Sequence, residues 1–186
     1  MVNETKIDSN ILNTVIFNES NEEVPVKSVL EGNTLLVFLR HFGCIGCAAH
    51  LVEILPSIDV FIKQNIKVVF IGNGDAKFIR DFKEKYGIDK AFVFTDPELK
   101  LYSAFGLKKS LNGAVGFGAV LNVFKLVGKG LIQTSIQGSV TQQGGVALVD
   151  KQGQIVFQHR SQKLGDNAPV SRLIKAANSL TITENI

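Results

Sequence analysis

Two cysteines stand three residues apart in Phe42-Gly43-Cys44-Ile45-Gly46-Cys47, and the chain has no others. A thiol at a helix start meets the positive end of the helix dipole, which favours thiolate, the form that attacks disulfide and peroxide bonds. The spacing puts Cys44 at the first helical turn and Cys47 about one turn along, with both sulfurs on one side. Such a pair closes a disulfide with little backbone movement. Cys44, at an exposed helix start, is expected to attack. Cys47, deeper, is expected to resolve the mixed disulfide or sulfenic acid that results. Arg40 and His41, just upstream, are candidates for holding a Cys44 thiolate by charge.

Other chemistries fit these residues less well. Two cysteines packed as small hydrophobes would account for neither the spacing nor the placement. His41, Cys44, Cys47 and His50 recur at intervals of three, but zinc usually draws its four ligands from two separated pairs, so no metal is assigned. Haem attachment needs histidine directly after the second cysteine, where Ala48 stands. Gly72-Asn73-Gly74 has Lys77 where a dinucleotide fingerprint needs its third glycine, and reads instead as a tight turn between strand and helix. No serine nucleophile motif and no paired carboxylates stand out.

The cysteines need a strand before them and a helix after them. Leu35 to Leu39 is a continuous apolar run, the mark of a strand buried on both faces. From Ala48 the chain continues as a helix with Leu51, Ile54, Leu55, Ile58 and Ile62 on one face and a kink expected at Pro56. Upstream, Val15-Ile16-Phe17 and Val24-Pro25-Val26 read as a small hairpin. Downstream, strands are expected at Lys67–Ile71 and Ala91–Phe94, with a helix between them from Asp75 to Tyr86, stopped by Gly87. Asp96-Pro97-Glu98 begins another helix that runs to Gly106. Val146–Asp150 and Ile155–Phe157 form an antiparallel hairpin, and Pro169 to Leu180 a last helix. Val120, Phe124, Val127 and Leu131 give the segment from about Ser110 to Thr141 a helical stripe, most simply a cover for the sheet, with a dimer face and a membrane-surface helix as alternatives.

These elements predict an α/β thioredoxin-like fold. Its central mixed β-sheet is flanked by helices, with an N-terminal hairpin and a helical insertion before the C-terminal ββα unit. The 186 residues form one domain over 1–186, large enough to bury a core unaided. A net charge of +3 without a basic stripe gives no argument for nucleic acid, so no nucleic-acid partner is expected. The N-terminus lacks a signal peptide and no window suits a spanning helix, so the protein is expected in the cytoplasm, without membrane contact.

The block Phe38-Leu39-Arg40-His41-Phe42-Gly43-Cys44-Ile45-Gly46-Cys47 resembles the active site of the peroxiredoxin-like AhpC/TSA family, in its peroxiredoxin-like 2 and prostamide/prostaglandin F synthase branch. Thr95-Asp96-Pro97-Glu98, Tyr102, Gly106-Leu107, Gln143 to Val146, Val149 to Gly153 and His159-Arg160 extend the resemblance in order. It implies thiol-dependent reduction of a small peroxide or disulfide through Cys44 and Cys47, with a thioredoxin- or glutathione-type electron donor, no cofactor, and a homodimer as one form. Two departures accompany it. Val37 and His41 stand where typical peroxiredoxins carry proline and a peroxide-polarising threonine, and Gly144 and Gly145 where thioredoxins carry a cis-proline. These glycines would let a partner backbone approach, and Gln143, if it faced the thiols, could bind a substrate oxygen. The alternatives are a non-catalytic redox sensor and a partner-binding protein on the same fold.

Overall fold

The computed structural model describes residues 5–109, 139, 141–163 and 165–184. The helical stripe expected between Ser110 and Thr141 falls almost wholly outside them. The described elements are β1 (Thr5–Lys6), α1 (Ser9–Leu12), β2 (Val15–Phe17), β3 (Glu23–Pro25), α2 (Val26–Val29), β4 (Asn33–Phe38), α3 (Ile45–Ile54), α4 (Ile58–Lys63), β5 (Ile66–Gly72), α5 (Phe78–Tyr86), β6 (Phe92–Thr95), α6 (Lys100–Ala104), β7 (Gly145–Val149), β8 (Gln154–Arg160) and α7 (Val170–Glu184). The strands make one mixed sheet in the order β1-β8-β7-β4-β5-β6-β2-β3. β4, β5 and β6 run parallel; β7 pairs antiparallel with the other side of β4.

Every residue of β4 is buried. Leu35 and Val37 face one hydrophobic cluster with Leu51, Ile54 and Phe61 of the helices after the cysteines, together with Ile79 and Leu173. Leu36 and Phe38 face a second cluster with Val29, Leu101 and Tyr102. The side chains alternate across the pleat between two helical layers, so an unbroken apolar run is what a central strand requires. The C-terminal ends of β4, β5 and β6 open together, and there the loops at 39–44, 73–77 and 96–99 meet.

Several local expectations hold. Pro56 lies in a single 3₁₀ turn, Leu55–Ser57, that separates α3 from α4. Gly87 ends α5 in the left-handed conformation with φ 62°. α6 starts later than expected because the Asp96 carboxylate caps it from outside: it accepts the N–H groups of Lys100, Leu101 and Tyr102 at 3.2, 2.8 and 3.2 Å. The last helix runs on past Leu180 to Glu184.

Gly72 ends β5 beneath the cysteine loop, and the Phe42 ring lies flat across it. A Cβ on Gly72 would meet Phe42 Cζ at 2.2 Å. Phe42 also packs tilted against Phe82 of α5, 5.3 Å between centroids at 59°, so the ring has no easy retreat. Gly72→Ala is therefore expected to lower stability by about 1–3 kcal/mol through overpacking. A thermal or denaturant unfolding midpoint equal to that of the parent chain would show that the ring yields freely.

Candidate active site

Past Phe38 the backbone leaves the ladder to β7, and its polar groups find other partners. Leu39 N–H donates to Ile71 O at 2.8 Å, and Cys44 N–H to His41 O at 3.1 Å. Leu39 O accepts the Tyr102 hydroxyl at 2.6 Å. Arg40 O accepts Asn73 Nδ2–H at 2.6 Å, while Asn73 Oδ1 accepts Ser139 N–H at 2.9 Å. These bonds fix the loop that carries the thiols.

Cys44 is the N-cap of α3, and its sulfur accepts the backbone N–H of Cys47 at 3.4 Å. A capping acceptor satisfies one of the orphan donors of the first turn. The sequence places Cys44 at an exposed helix start, but the structure buries it: it is 5 % exposed. Its loop is closed over by neighbours, with Arg40, His41 and Phe42 all buried as well. Cys47 keeps more surface. Cys47 lines a cavity of about 20 Å³ with Arg40, His50, Gly144, Gly145 and Asn167, room for one water. Neither thiol is joined in a disulfide, and that of Cys47 is a hydrogen-bond partner of Cys44. That bond, then burial and the charge of Cys44, push the Cys47 thiol well above its ordinary range; the Arg40 N–H, 3.1 Å from the sulfur, acts the other way.

The upstream residues take different parts from those expected. Burial, with the Arg40 charge beside it, holds His41 at about 4 rather than 6.5. It is neutral at neutral pH and lends a thiolate no positive charge. Its Nδ1 is the one buried side-chain nitrogen or oxygen among the described residues without a hydrogen-bond partner. Arg40 serves through its backbone at least as directly as through its guanidinium. Gln143 does not face the thiols: its Oε1 accepts Lys108 N–H at 3.0 Å and its own N–H donates to Lys108 O at 3.1 Å. Backbone pairing with the chain after α6 has taken up the amide oxygen. Gly144 lies against the loop, where a Cβ would stand 2.8 Å from Phe38 O and 3.4 Å from Arg40 Cγ. At Gly145 it would stand 2.6 Å from His159 O. Both glycines are required by close backbone approach.

Asn73 and Tyr102 belong to the site although the sequence attaches no role there to either. Asn73 reads as a turn residue and Tyr102 as part of a helix face; the partners of both are backbone carbonyls far along the chain. His50 is buried on α3 with Nε2 against Ala168 O at 3.0 Å.

Residues 51–163 match the AhpC/TSA antioxidant enzyme family. The chain belongs to that family. The matched span begins just beyond Cys47. Among curated relatives, prostamide/prostaglandin F synthase of Xenopus laevis is 31% identical over 90% of this chain and 84% of its own length. The Danio rerio protein of the same name is 29% identical over 100% and 91%. Human peroxiredoxin-like 2C is 22% identical over 86% and 75%. Among solved structures, peroxidoxin BcpB of Mycobacterium tuberculosis superposes with a TM-score of 0.69 at 12% identity, covering 95% of this chain and 96% of that one. Bacterioferritin comigratory protein of Xanthomonas campestris gives 0.68, also at 12% identity, over 95% and 97%. The peroxiredoxin-like, thioredoxin-type fold expected from the sequence is thereby established. No helix among the described residues is long and apolar enough to cross a membrane.

The two buried histidines make stability pH-dependent. An unfolded histidine takes up its proton near 6.5, whereas His41 and His50 do so in the fold only near 4. Between those values the unfolded chain binds more protons, so acid favours unfolding. Each histidine's contribution is complete above the upper value and disappears toward the lower one, about 3 kcal/mol apiece. Denaturant midpoints measured across this range should fall with pH, and more gently in His50→Gln. Equal slopes in the two proteins would remove His50 from the account.

Proposed function

We propose that this chain is a thiol-dependent oxidoreductase that reduces a peroxide or disulfide bond through Cys44 and Cys47. The observation that carries the reading is the joint placement of the two sulfurs. One caps the first turn of α3, and the other is its hydrogen-bond partner. Membership of an antioxidant enzyme family supports the same chemistry.

With a peroxide, the Cys44 thiolate attacks one oxygen of the O–O bond. That oxygen stays on sulfur as sulfenic acid, and the other leaves as alkoxide or hydroxide and takes up a proton. Cys47 sulfur then attacks Cys44 sulfur, the S–O bond breaks, and the hydroxide leaves as water with the proton Cys47 gives up. With a disulfide substrate the first step gives a mixed disulfide and a free thiol instead. Two thiols of an external donor, of thioredoxin or glutathione type, reduce the Cys44–Cys47 disulfide. Arg40 contributes its N–H to the resolving sulfur, while the space beside Gly144 and Gly145 is taken by the chain's own backbone at Phe38 and His159.

Cys44→Ser is expected to lower steady-state consumption of donor thiol roughly a thousandfold or more. Cys47→Ser should consume one equivalent of peroxide and then stop, with the oxidised Cys44 detectable by mass spectrometry. Undiminished turnover in Cys44→Ser would overturn the reading.

A further inference from the structure

Cys47 sulfur accepts one backbone donor, the N–H of Arg40 at 3.1 Å. That N–H belongs to the peptide joining Leu39 to Arg40. The carbonyl at the other end of the same peptide accepts the Tyr102 hydroxyl at 2.6 Å. A trans peptide is planar and sends its C=O and N–H in opposite directions, so holding the oxygen aims the hydrogen. A hydrogen bond to the oxygen also polarises the amide and strengthens its N–H as a donor.

Tyr102 is built for this single post. Its side chain is fully buried, and its ring stands edge-on to Phe38 at 5.1 Å. The hydroxyl proton is shared with Ile71 O at 2.8 Å, the longer of its two contacts. The backbone of Tyr102 is held by the Asp96 carboxylate. Burial pushes the phenol well above its ordinary range, so it remains a donor at any working pH.

We propose that Tyr102 is a positioning residue for Cys47: through the Leu39–Arg40 peptide its hydroxyl stabilises the thiolate that closes the disulfide. The catalytic consequence rests on the function proposed above, whereas the wiring itself does not. The titratable groups around Cys47 are Cys44 and Arg40 beside it, His50 one turn on, Lys163 across the cavity, and Tyr86 and Tyr102. Replacing Tyr102 by phenylalanine alters no charge among them, so a shift would report the relayed hydrogen bond.

The test is an ultraviolet thiolate titration of Cys47 alone, in Cys44→Ala protein, with and without Tyr102→Phe. The midpoint should rise by about one pH unit, a tenfold loss of thiolate at a given pH. Cys44, titrated in Cys47→Ala protein, should not move. After one equivalent of peroxide, disulfide closure should slow about tenfold while oxidation of Cys44 keeps its rate. Should Tyr102→Phe fail to fold, a fluorinated tyrosine in a Tyr86→Phe background replaces it, since the chain has two tyrosines. A more acidic hydroxyl should then lower the Cys47 midpoint. An unmoved Cys47, or equal shifts in both cysteines, overturns the proposal. A shifted midpoint in a protein without thiol-dependent turnover would remove the proposed function and leave the role of Tyr102 standing.

Discussion

The arrangement depends on how the backbone is satisfied where β4 ends. A strand in mid-sheet has its hydrogen bonds supplied by its neighbours; one residue past the ladder, that supply stops while the surroundings are still dry. Unpaired groups there would each cost a large part of a small protein's net stability. Leu39, Arg40 and Cys44 are answered by Ile71 O, the Tyr102 hydroxyl, the Asn73 amide, His41 O and the Cys47 sulfur. The sulfurs are thus held by the same bonds that let the chain leave the sheet. Structure and chemistry share one set of contacts at this point.

The electrostatics divide the two thiols. Cys44 sulfur faces a helix N-terminus and receives a backbone N–H, while the Cys47 thiol is raised by its neighbour and by enclosure. One backbone donor opposes that rise. The two sulfurs, three residues apart, therefore sit in unlike surroundings: one at the cap of a helix, the other against its neighbour and the Arg40 N–H. Histidine adds nothing to this division at neutral pH, because the two imidazoles near the pair are uncharged.

Much of the frame was legible in the sequence, since apolar runs and glycine turns are local signals. Leu35 to Leu39, Lys67 to Ile71 and the hairpin at 146–157 could be read directly from side-chain pattern. β1, α1 and α2, at two to four residues each, are too short to show any period. The cysteine pair was visible because its spacing is itself the message. Its supports were not: Asn73 reaches a carbonyl 33 positions away and Tyr102 one 63 positions away, and neither separation leaves a trace in composition. Gln143 turns from the thiols for the complementary reason: a strand-like pairing with Lys108 takes up its amide oxygen. The exposure expected of Cys44 failed because a helix start inside a sheet protein can be roofed by loops from adjacent strands.

Phe42 and Gly72 form a knob and its socket, one on the thiol loop and the other at the tip of the neighbouring strand. Neither specifies anything alone. Bulk added to the socket must be matched by bulk removed from the knob, so the two sites are free to drift only in concert.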